Sequence, residues 1–209
     1  MSRLFNFLRK NKEEKRKLHV PDFKEYYKVV AKILYAYDIK EMYEDQSNMP
    51  GLCPSCRCKI EMVPDLNYKP NKRKADVYIT FPDGFYIVSD NFKRFCDLNN
   101  YENLKFLKLH SSRYYYFEPL SKIKTNIYWP QVTKLGNWCN ICKTYSFVCG
   151  CTLIDESVDN NFIMREDLFT CSLHEKSPLT IIGLETAKKM IDFGLKGIYF
   201  DDVWGLKDL

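Results

Sequence analysis

Apolar and polar positions along the chain alternate in short runs rather than in long helical stripes. "ADVYIT", "GFYIV", "NLKFLKL", "RYYYFEPL", "SPLTII" and "KGIYFDDV" each read as a short strand bounded by turn residues. Helical spacing follows two of these runs. After Phe85–Val88, Phe92, Phe95 and Cys96 share one face. After Leu179–Ile182, Leu184, Ala187, Met190 and Ile191 do. Asn99 and Asn100 stop the first helix and Gly194 the second. Each helix leads into another alternating strand. The chain therefore predicts an α/β (α+β) fold: a mixed β-sheet carrying two related β-α-β units, at about 76–120 and 169–204.

Two segments are open to more than one reading. In "DFKEYYKVVAKILYAYDIKEMY", Phe23, Tyr27, Val30, Leu34 and Tyr37 fit one helical face, yet "YYKVV" reads as a strand. In "RYYYFEPL", Tyr114 and Tyr116 alternate with Tyr115 and Phe117, so each side of the strand carries aromatic rings. That suits a sheet covered on both faces. It also suits an exposed aromatic patch for a partner, with Tyr114 and Tyr116 as anchors.

Composition narrows the class. The chain has 209 residues, 45% hydrophobic and 15% aromatic, enough for one sizeable core. Net charge is +5, which neither demands nor excludes nucleic acid. The first residues, "MSRLFNFLRKNKEEKRKLHV", lack the apolar run of a secretory signal, and no stretch has the apolar length of a transmembrane helix. Residues 1–20 read as a basic extension and 21–209 as a single domain, kept in the cytoplasm. In that reducing compartment, nine cysteines favour metal or redox use over disulfides.

Four of the cysteines are spaced for metal. Cys53 and Cys56 form one Cys-x-x-Cys pair, Cys139 and Cys142 another. Each pair can grip an ion from one tight turn, and two pairs complete a tetrahedral Zn²⁺ shell. Closing a loop of about eighty residues adds entropy cost only slowly. A shell of four protein sulfurs is structural, not catalytic. Arg57, Lys59, Lys134 and Lys143 flank the pairs and can offset their negative charge. "CPSC" alone also resembles a redox dithiol, but it follows a Pro-Gly turn and not a strand entering a helix. Cys96 and Cys171 read as buried free thiols in apolar surroundings; Cys58, Cys149 and Cys151 are spare thiols or substitute ligands.

The order "PGLCPSC", strand-helix-strand, "WCNIC", then "SPLTIIGLETAKKMIDFGLKGIYFDDV" resembles the double-CxxCG motif family of bacterial immunity proteins of polymorphic toxin systems. The resemblance covers about residues 49–204. Arg57 and Lys143 stand where that motif has glycine. It implies a non-catalytic protein that binds a cognate toxin stoichiometrically and occludes its active site, with no small-molecule substrate. An acidic loop, Asp155, Glu156 and Asp159, would complement a basic toxin cleft.

Enzyme signatures are missing from the sequence: it has no H-E-x-x-H, P-loop, G-x-S-x-G or G-x-G-x-x-G. His19, His110 and His174 are scattered, and the pair Asp201 and Asp202 reads as a solvated strand end. The rival reading is a zinc-ribbon nucleic-acid binder, with "PNKRKAD" and "RKNKEEKRK" as phosphate contacts.

Overall fold

The computed structural model describes residues 27–70, 74–110, 112–126, 134–150, 153–154 and 157–207. The basic extension 1–20, Phe23, and the loop residues Asp155 and Glu156 lie outside them, as do Cys151 and His19. The fold is mixed α+β and mostly sheet, with two α-helices among the described residues.

Its axis is one long strand, β1 (Tyr27–Lys40). The ambiguous segment is thus extended wherever it is described. The reason is tertiary: Ala31, Ile33, Leu34 and Ala36 are all buried, which one helical stripe could not achieve, while Tyr37, on the proposed stripe, is exposed. Strands buried on both faces read as near-continuous apolar runs.

Among the described residues, strand β1 joins the two halves of one 10-stranded sheet. Its last four residues pair in parallel with β2 (Val77–Phe81), which continues antiparallel through β3 (Tyr86–Ser89) and β5 (Tyr114–Pro119) to β4 (Leu104–Lys108). Residues 31–33 pair on one edge with β14 (Thr180–Gly183), which leads to β12 (Ile163–Glu166) and β6 (Lys122–Ile123). The other edge takes β15 (Ile198–Leu206), with β11 (Leu153–Ile154) outside it. Val30 is an extra residue between the Val29–Trp204 and Ala31–Val203 pairs, a bulge that bends the strand.

Helix α1 (Asp90–Leu98) joins β3 to β4, and α2 (Leu184–Asp192) joins β14 to β15. In each case the two strands are parallel to each other and flank a third, antiparallel one: β5 in the first, β1 in the second. Helix α1 starts at Ser89, whose Oγ accepts from the amides of Asn91 and Phe92. Helix α2 starts at Gly183, where any Cβ would overlap the Asn160 carbonyl. Phe92, Phe95 and Cys96 are buried as the spacing predicts, and so are Ala187 and Met190. Ile191 is not: it is 62% exposed, one residue off the stripe. Both helices pack into one core, where the rings of Phe95 and Phe193 lie 5.3 Å apart.

Tyr114 and Tyr116 belong to the core. They are 5% and 1% exposed, set among Tyr78, Phe85 and Ile87. The expected anchoring role on a partner surface is therefore corrected: strand β5 is covered on both faces, and neither ring has surface to offer. Of the three consecutive tyrosines, only Tyr115 is half-exposed.

A smaller module completes the fold. Strand β7 (Lys134–Leu135), β10 (Phe147–Cys149) and β13 (Cys171–Ser172) form a three-stranded sheet. Strands β8 (Trp138–Cys139) and β9 (Thr144–Tyr145) form a hairpin. Among the described residues, no helix is long and apolar enough to cross a membrane.

Candidate metal centre

The two Cys-x-x-Cys segments fold into matching turns. In the first, Leu52 bridges Lys59, the Cys53 amide donates to the Cys58 carbonyl at 2.8 Å, and the Arg57 amide donates to the Cys53 carbonyl at 3.0 Å. In the second, Trp138 pairs with Tyr145, Cys139 with Thr144, and the Lys143 amide donates to the Cys139 carbonyl at 2.9 Å. Arg57 and Lys143 adopt φ of 61° and 57°. The backbone enters the left-handed region at both positions. A residue with a Cβ pays about 1 kcal/mol for it.

The turns meet. The ligand sulfurs of Cys53, Cys56, Cys139 and Cys142 all lie within 4.8 Å of one another, and Cys56 and Cys142 approach to 3.5 Å. A tetrahedron with metal–sulfur bonds of about 2.3 Å has edges of about 3.8 Å, so the four sulfurs fit one metal ion. All four predicted ligands are brought together from segments more than eighty residues apart.

Local amides prepare the sulfurs for metal. The Cys56 and Ser55 amides favour the thiolate of Cys53, and burial opposes them only in part. The Cys142 and Ile141 amides hold Cys139 down to about 6. Burial is the larger force at Cys142 and pushes it up. A cation among the four sulfurs would favour their thiolate forms. Cys58 is buried beside the site, pushed up to about 11 by burial first, and its Sγ lies 3.9 Å from the Tyr145 carbonyl. It is a fifth thiol beside the four.

A third segment locks the two turns together. The Leu173 amide donates to the Ser146 carbonyl at 2.9 Å, and the Leu173 carbonyl accepts from the Lys59 amide at 3.0 Å. The same segment delivers Lys176, which is fully buried; its Nζ donates to the Tyr145 carbonyl and to Thr144 Oγ1. Nothing in "HEKSPL" singled out that lysine. Its burial is a property of the assembled module. Of the four flanking basic residues read from the sequence, Lys59 is buried, while Arg57, Lys134 and Lys143 are exposed.

Other candidates fall elsewhere. Cys96 is buried in α1, but Cys171 is exposed, not buried, because β13 is an edge strand of the small sheet. Cys149 is exposed as well. Asp159 is exposed, and its Oδ1 accepts from the Asn160 amide. Asp201 and Asp202 lie inside β15 and not at a strand end, and Asp202 forms an ion pair with Lys32. His110 shares a hydrogen bond of 2.9 Å with Asn67. The chain matches no protein-family model and has no significant match among curated proteins.

Proposed function

We propose that this chain is a zinc-stapled immunity protein, which neutralises a cognate bacterial toxin in the cytoplasm by direct stoichiometric binding. The observation that carries the reading is the convergence of four thiols from two remote turns. Four protein sulfurs fill a tetrahedral shell and leave no position for water or substrate, so the ion braces a surface and takes no part in turnover. Zinc is the ion such a thiol set suits in a reducing compartment. The order of the cysteine pairs and the closing strand-helix segment support the immunity assignment. We read the two strand-helix-strand segments as related copies, because each sets an antiparallel strand between its own two parallel ones.

With Tyr114 and Tyr116 buried, the contact surface moves to the metal-bearing turns. Ile141 is 67% exposed, and Trp138, Leu135 and Ile60 are exposed with it. Arg57, Lys134 and Lys143 are the exposed charges among residues 49–60 and 134–150, which hold no acidic residue. Apolar anchors among basic residues suit a toxin surface with acidic edges. The test is co-expression with the product of the adjacent gene. Rescued growth and a stoichiometric complex that survives high salt are expected, and Trp138→Ala with Ile141→Ala should weaken that complex at least tenfold. Failure of rescue and of complex formation would sink the reading.

The same acid-free basic surface, with Trp138 on it, favours nucleic-acid binding as the second reading. It predicts duplex or single-strand binding that collapses between about 50 and 200 mM salt.

A further inference from the structure

Lysine is among the residues least often buried, because its ammonium must be stripped of water. Here two are buried together with the metal-bearing turns. Lys59 donates to the Asp83 backbone carbonyl and lies 5.0 Å from the Phe85 ring centre; burial lowers its ammonium to about 8, and the charge that opposes burial comes first from buried Asp83. Lys176 differs. It is 0% exposed, and the groups it donates to, the Tyr145 carbonyl and Thr144 Oγ1 at 3.1 Å, are neutral. Burial lowers its ammonium, and the charges that oppose burial are those of the sulfurs as thiolates, Cys58, Cys142 and Cys56 foremost.

Its placement is specific. Thr144 and Tyr145 form the returning strand of the second cysteine hairpin, opposite Cys139 and Trp138. The Tyr145 carbonyl that takes the ammonium also faces Cys58. Leu173, three residues earlier, bonds to both cysteine turns. The ammonium is therefore inserted where the two turns meet. Four thiolates around a dication leave a net charge of about −2. Exposed Arg57, Lys134 and Lys143 act on that charge through water and are screened. A buried cation is not.

We propose that Lys176 is the counter-charge of the metal centre: its buried ammonium offsets part of the dianionic charge of a four-thiolate site and so raises retention of the ion. It is a positioning residue and touches the metal only through the field it creates. The inference rests on the four-sulfur metal reading above.

The test uses the full chain loaded with Zn²⁺ and challenged with a chromogenic chelator. Lys176→Gln removes the charge but keeps a donor for the Tyr145 carbonyl. It should release zinc roughly 10- to 100-fold faster than the unchanged protein, as loss of outer-shell partners does. Lys176→Met should behave alike. Lys32→Gln, on β1 of the main sheet and paired with Asp202, should release zinc near the unchanged rate. In a Cys142→His background the centre carries one negative charge fewer, and the Lys176→Gln acceleration should shrink. Unchanged release from Lys176→Gln would overturn the counter-charge role, as would equal acceleration by Lys32→Gln or an undiminished effect beside Cys142→His. A chain that binds no zinc at all would instead remove the metal reading, and this inference with it.

Discussion

At Arg57 and Lys143 the chain spends strain where glycine would sit without cost. Both have φ near 60°, and both amides return to the first cysteine of their pair. Lys143→Gly relieves that strain and adds some unfolded-state entropy, so a net gain of about 0.5–1 kcal/mol is expected in thermal unfolding of the metal-loaded protein. Glu166 is strained electrostatically. Burial raises its carboxyl from 4.5 to about 8, against the opposing help of the Leu179 amide. The folded chain then holds a proton that the unfolded chain releases above about pH 4.5. Its stabilising share is whole below that value and is lost as pH rises through about 8. Glu166→Gln should match the unchanged protein near pH 4.5 and exceed it by roughly 1–3 kcal/mol near pH 8. Urea titrations at several pH values measure the gap, and parallel pH profiles would refute it.

Among the elements, the two helices show which local rules carry weight. The cap of α1 serves twice: Ser89 Oγ accepts from two amides and donates to Asp76 Oδ1 at 2.7 Å. Ser89→Ala should cost about 1–2 kcal/mol, read from the urea midpoint. On α2, Met190 and Ile191 are adjacent in sequence and opposite in fate. Met190→Ala should cost about 2–5 kcal/mol, whereas Ile191→Lys should change stability by less than about 0.5 kcal/mol. Reversal of that order would mean α2 presents another face to the core. The apolar spacing marked both helices and their stops correctly. It overreached at Ile191, because an apolar residue beside the stripe satisfies the same pattern.

For the whole molecule, the division of the core matters most. The three buried clusters centre on β1, β3, β5, β14 and the two helices, and none of them contains a metal-binding cysteine. The cysteine turns are held instead by short pairings and by Leu173, with four thiols close enough to hold one metal ion. Removal of the ion, or Cys139→Ser, should therefore loosen the turns before the sheet. Hydrogen exchange is expected to accelerate at 52–60, 138–146 and 171–176, while β1 and β14 keep their protection. Uniform loss across both regions would show that the ion holds the entire fold.

The residues alone marked β2, β3, β4, β5, β14 and β15, both helices and the four thiols that could hold a metal ion. Each depends on contacts at short range, where period and spacing are visible: two cysteines in one turn, a stripe on one helix, alternation on one strand. Tertiary structure decided what depends on neighbours brought from afar. Segment 27–40 is a strand because β14 and β15 pair with its two edges. Tyr114 and Tyr116 are buried because β5 lies between β3 and β4 with both faces covered. Lys176 is buried beside the cysteine turns because Leu173 ties its segment to both of them. Burial and electric field are sums over the folded chain, and no window of sequence contains them.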